Sequence, residues 1–153
     1  MTSHDDIIRV DKIRFDESVP LKQLYGPAKK WARSQFQGKT FVNKDTGQSI
    51  EITGNGIDHT IATAHNPDVI HSMAVLPDMI ERAKFIREEP PKRPKDGQRP
   101  KQHLMAVERY EISVQIRETL YTAELIVKVE NRNNRKISSV GDVRLYYHHN
   151  LYE

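Results

Sequence analysis

Apolar and polar residues alternate most regularly in the last third of the chain. Between Leu104 and Ile116, the residues Tyr110, Ile112, Val114 and Ile116 take every second position, the period of a strand with one buried face. From Leu120 to Val129 the same period places Tyr121, Ala123, Leu125, Val127 and Val129 on one side. The run Asn131-Arg132-Asn133-Asn134 supplies a turn or loop, and VRLYYHHNL from Val143 to Leu151 predicts a closing strand. Nearer the start, Leu21, Leu24, Tyr25, Ala28, Trp31 and Ala32 recur at helical spacing. They predict a helix opened by Ser18-Val19-Pro20 and running to about Gln35, packed on the sheet through Trp31. Pro27 is expected to kink or split it.

Phe41, Ile50 and Ile52 predict a hairpin over residues 40–53, turning at Asp45-Thr46-Gly47. Gly54-Asn55-Gly56, residues tolerant of positive φ, are expected to end its second strand and open a loop carrying His59 and His65. Asn66-Pro67-Asp68 then reads as a helix start. Val69, Ile70, Met73, Ala74, Leu76, Ile80, Ala83 and Phe85 predict two helical pieces, 67–75 and 77–88, divided at Pro77. Residues 7–15 suit a short edge strand or arm. Residues 89–100, EPPKRPKDGQRP, hold four prolines and a glycine and predict an exposed basic loop. The order of elements is α+β, with helices against one sheet face.

A length of 153 residues bounds the chain to one domain with one core. No apolar run approaches the roughly 20 residues that span a bilayer. The start, MTSHDDIIRV, has no basic and apolar regions of a signal peptide. The expectation is therefore no membrane, with cytoplasmic folding compatible, alone or as part of a larger protein. The absence of cysteine excludes disulfides, zinc thiolates and thiol nucleophiles.

Net charge is only +3, but it is unevenly spread. Lys22 to Lys44 holds six basic residues and no acid, and Arg82 to Lys101 holds eight basic residues against three acids. Such blocks suit a phosphate backbone. Lys84, Arg87, Lys92, Arg93, Lys101 and Arg109 are the candidate nucleic-acid contacts. A solubilising surface with a basic loop accounts for the same charges.

No P-loop, G-x-G-x-x-G or G-x-S-x-G occurs, so NTPase, dinucleotide-binding and serine-hydrolase readings lack support. His59 and His65, with Asp58 or Asp68, match no familiar zinc spacing, and no metal or other cofactor is expected. The histidines do suit metal-free RNA cleavage. That reaction needs a base for the ribose 2′-OH, an acid for the leaving 5′-oxygen and a donor for the phosphorane charge. His59 is the first candidate and His65 the second, with the Thr60 hydroxyl offered to a phosphate oxygen. On the final strand, Tyr147 shares a face with His149, and Tyr146 with His148. Either tyrosine is a candidate for a platform against a nucleotide, with Tyr147 the candidate site residue, and either is equally a core residue. His71 falls on the following helix and reads as structural or surface.

The succession of a helix, FVNKDTGQSIEIT, GIDHTIATAH, VIHSMAVLPDMIERAKF and strands ending in LYYHHNL resembles the barnase-like domains of phage and mobile-element polyvalent proteins. These belong to a wider barnase, EndoU, colicin D and RelE-type group. The resemblance covers about residues 36–151. It implies N-terminal helices packed on one face of a four- to five-stranded antiparallel sheet. It also implies toxin-type RNA cleavage, with tRNA among the substrates and an acidic immunity or antitoxin protein as partner. Two other readings stay open. One is a non-catalytic nucleic-acid- or protein-binding module of a phage or mobile element, using residues 89–101 and 21–35. The other is a structural component of a phage particle.

Overall fold

A computed structural model of the chain describes residues 7–11, 15–91, 97 and 103–147. In chain order the elements are β1 (Ile7–Val10), α1 (Leu21–Phe36), β2 (Thr40–Val42), β3 (Ser49–Glu51), α2 (Gly54–Ala62), α3 (Pro67–Ser72), a 3-10 turn (Met73–Val75), α4 (Leu76–Arg82), β4 (Lys84–Glu89), β5 (Leu104–Ile116), β6 (Thr119–Arg132) and β7 (Arg135–Tyr147).

The expected four- to five-stranded antiparallel sheet is corrected to one curled sheet of seven strands with mixed orientation. Its order is β1–β5–β6–β7–β3–β2, and β4 also pairs with β5. Two pairings are parallel, β1 with β5 and β3 with β7. β1 takes the Ser113–Ile116 half of β5, and β4 the Val107–Glu111 half. The sheet curls far enough for the β2–β3 turn to meet β4 and β5. Asp45 Oδ2 accepts from the Phe85 amide at 2.9 Å, Thr46 Oγ1 lies 3.3 Å from the Tyr110 hydroxyl, and Gln48 Nε2 donates to Glu108 Oε2 at 3.1 Å.

The long strands follow their alternation. Tyr110, Ile112, Val114 and Ile116 from β5 and Tyr121, Ala123, Leu125, Val127 and Val129 from β6 are all buried. Asn133 and Asn134 both take positive φ, 52° and 63°, in the two-residue link to β7, the geometry a tight hairpin needs. Leu24, Ala28 and Ala32 of α1 join the same core, where Trp31 packs edge-on to Phe15 and Phe36. Each fully buried large aliphatic side chain contributes roughly 1.5–3 kcal/mol relative to exposure.

Four local expectations differ from the structure, each for a physical reason. α1 runs unbroken through Pro27, which is exposed, as is Gln23, the partner its missing N–H would have had. Water can satisfy that carbonyl. The expected loop after Gly54 is instead helix α2, capped by Thr53, whose Oγ1 accepts from the Gly56 amide at 3.0 Å. The expected helix 77–88 stops at Arg82 and continues as strand β4. Buried Asn43 ends it by donating through Nδ2 to the Ile80 and Ala83 carbonyls, both at 2.8 Å. Finally, β7 begins at Arg135 rather than Val143: its first half pairs with β6, and there Ser138 and Ser139 are buried between β6 and β3. Among the described residues, no helix is long and apolar enough to cross a membrane.

Candidate active site

β3 pairs with β7 only at Ser138 and Ser139. Beyond them α2 takes over the side of β7, and the contact is close for two reasons. A bulge sits between the pairs Ile126–Asp142 and Val127–Val140, leaving Gly141 as the extra residue. Gly56 lies against the strand so tightly that a Cβ there would come within 2.1 Å of the Val140 carbonyl oxygen. The result is a cleft of about 430 Å³ between α2, the α2–α3 junction and residues 142–146 of β7. His59, Thr60, His65, Asn66, Asp142, Arg144 and Tyr146 line it.

Asp142 organises the polar side. It is 6% exposed. Its Oδ1 accepts from the Val143 amide at 2.9 Å and from Thr60 Oγ1 at 3.4 Å. Its Oδ2 accepts from Arg144 Nε at 3.0 Å and lies 3.6 Å from His59 Nε2. Asp142, with Tyr146 after it, holds the Arg144 guanidinium more firmly protonated than usual. His59 and Arg144 are about half exposed, so both can reach a ligand in the cleft. His65 is exposed just ahead of Asn66, the residue that caps α3 by accepting from the Asp68 amide.

The structure thus brings His59, Thr60 and His65 to one cleft. Thr60 is buried there and bonds Asp142. Tyr147 does not line the cleft and stacks on Tyr121, with centroids 5.5 Å apart. Tyr146 faces the cleft instead. Asp142 and Arg144 are the residues that sequence reasoning missed as cleft members. Their signal is the spacing of two in DVRLY, although Val143 and Leu145 between them also line the cleft.

The candidate nucleic-acid contacts are scattered. Arg87 pairs with Glu89, and Arg109 with Glu89 and Glu124. Lys84 is exposed at the start of β4. Lys92, Arg93, Lys101, His148 and His149 lie outside the described residues. His71 is buried, and its Nε2 lies 2.7 Å from Glu17 Oε1. Glu17, Asp68 and His71 offer three ligand atoms within 4.8 Å of one another. Arg117 already supplies positive charge there, bonding both oxygens of Glu17 and Asp68 Oδ1.

Fold and cleft together define an α+β domain with a histidine–aspartate–arginine cluster at the edge of a curled sheet. The family model for large polyvalent protein-associated domain 3 matches residues 20–146, and the chain belongs to that family. This supports the polyvalent-protein part of the resemblance, and not a barnase-like nuclease fold. No curated protein and no solved structure matches the chain.

Proposed function

We propose that the cleft cleaves RNA without a metal, by attack of a ribose 2′-OH on the adjacent phosphate. The observation that carries this reading is the meeting of His59 and His65 with Asp142 and Arg144 in one cleft. His59 takes the 2′-OH proton while Asp142 orients its ring. The 2′-oxygen bonds to phosphorus and the bond to the 5′-oxygen breaks. His65 gives its proton to that leaving oxygen, and Arg144 faces the charge of the phosphorane. The products are a 2′,3′-cyclic phosphate and a 5′-hydroxyl. Tyr146, 49% exposed, offers a ring face to a base.

In this reading the domain acts in the bacterial cytoplasm as part of a larger polyvalent protein. RNA, tRNA included, is the substrate. An acidic immunity or antitoxin protein that covers the cleft is the corresponding neutralising partner. The test is incubation of total bacterial RNA with the purified domain in EDTA, beside the His59→Ala variant. Discrete fragments with the wild type alone support the proposal. RNA left intact by both removes it, and RNA bound but uncut favours a non-catalytic binding module.

A further inference from the structure

A second concave site lies away from the cleft residues, where the β2–β3 turn, the end of α4 and the start of β4 meet. Lys44, Asp45, Arg82 and Lys84 line this pocket of about 290 Å³. Three cations from two distant chain segments therefore share one small space with one acid. Their backbone is held firmly. Asn43 is fully buried and bonds the carbonyls of Ile80 and Ala83, on both sides of Arg82. The same side chain accepts through Oδ1 from the amides of Asp45 and Thr46. The Lys44 amide donates to the Glu81 carbonyl at 2.9 Å. Asp45, the one carboxylate in the pocket, spends Oδ2 on the Phe85 amide. Lys44 and Lys84 are exposed, and among the described residues neither ammonium pairs with a carboxylate.

The two lysine ammoniums held near one another there repel, and an anion relieves them. We propose that this pocket binds a backbone phosphate of RNA, as a second contact beyond the cleft. This rests on the reading of the cleft as an RNA site. A long polyanion suits the pocket better than a small one, because the sequence after β4 carries further basic residues, Lys92, Arg93, Lys95, Arg99 and Lys101.

The test uses a 2′-O-methyl RNA, which the proposed chemistry cannot cut, with its binding followed by fluorescence anisotropy between about 50 and 200 mM salt. In the Lys44→Ala/Lys84→Ala variant, the slope of log affinity against log salt should shrink by about 0.7, the value for one lost phosphate contact on a single strand. The Lys22→Ala/Lys30→Ala variant, changed on exposed positions of α1, should keep more of the slope. Circular dichroism checks that each variant is folded. An unchanged slope in the pocket variant, an equal loss in the α1 variant, or no binding by the wild type would overturn the proposal. Displacement of the RNA by polyglutamate at equal charge would overturn RNA as the occupant. His59→Ala separates the two sites: loss of cleavage with the full slope retained concerns the cleft alone. A reduced slope in the pocket variant, with no cleavage by the wild type, leaves the pocket standing and removes the cleft reading.

Discussion

Asp142 and Asn43 are single side chains on which a whole site depends, and they fail differently when changed. Asp142 accepts three hydrogen bonds with two oxygens, from the Val143 amide, Thr60 and Arg144, and faces His59 at 3.6 Å. Asp142→Asn keeps the size but presents an amide N–H₂ on one side, where only an acceptor suits Arg144. Cleavage of RNA should fall by about 10²-fold or more, the usual scale for losing an oriented acid–base group. Adding His59→Ala should cost little further, because the two act as one unit. Full activity of Asp142→Asn would reduce Asp142 to a structural role. Asn43→Ala should act on stability instead. It strands the Ile80 and Ala83 carbonyls and frees the Asp45 and Thr46 amides, at a cost of about 2–4 kcal/mol by urea unfolding.

At the scale of elements, α2 shows best how a glycine can mislead. Gly54 and Gly56 read as breakers with positive φ, yet neither is among the glycines with positive φ. Gly56 is needed for space, since a Cβ there would meet the Val140 carbonyl oxygen at 2.1 Å, whereas at Gly54 a Cβ would meet only the movable end of the Arg33 side chain, Nη1 at 2.8 Å. Gly56→Ala should therefore push α2 from β7, destabilise the fold by about 1–3 kcal/mol and weaken the cleft with it. Gly26→Ala is the contrasting case, since nothing lies within 4 Å of that position in α1. It should change stability by less than about 1 kcal/mol, since the gain of alanine over glycine in a helix is opposed by crowding of the new Cβ against the ring of the following Pro27. Thermal unfolding of both variants decides the point. The long strands were legible because one face of each is buried without interruption. The hairpin was legible because its turn is local chemistry. Helix α2, strand β4 and the first half of β7 were not, since each is fixed by a distant partner: Val140, Asn43 and β3. The same reason explains the site. His59 and His65 could be named from the sequence, whereas Asp142 joins them only through a bulge at Gly141.

The whole molecule is also tied together by ionised groups, and these set how its stability depends on pH. Glu17, in the segment before α1, bonds Arg117 at the β5–β6 turn and His71 on α3, while Arg117 reaches on to Asp68. Arg117 first, and then His71, hold the Glu17 carboxyl below its ordinary 4.5. Arg33 does the same to Asp58 against an ordinary 3.8, joining α1 to α2. A lowered carboxyl binds fewer protons folded than unfolded. Its contribution is complete above the unfolded value and is lost as pH falls through the folded one. Two tyrosines impose the opposite limit. Burial first, with Glu108 beside it, pushes Tyr110 up to about 12. Burial and then Asp68 raise Tyr121 as well. Their contribution is complete below the ordinary value of 10 and is lost as pH rises through the folded values. The urea midpoint should therefore fall below about pH 4.5 and again above about pH 10, with a plateau between. Glu17→Gln should lower the plateau and flatten the acid limb, because the variant has no carboxyl left to titrate there. An acid limb unchanged in Glu17→Gln would show that the clamp at Arg117 does not hold the arm to α3 and the β5–β6 turn.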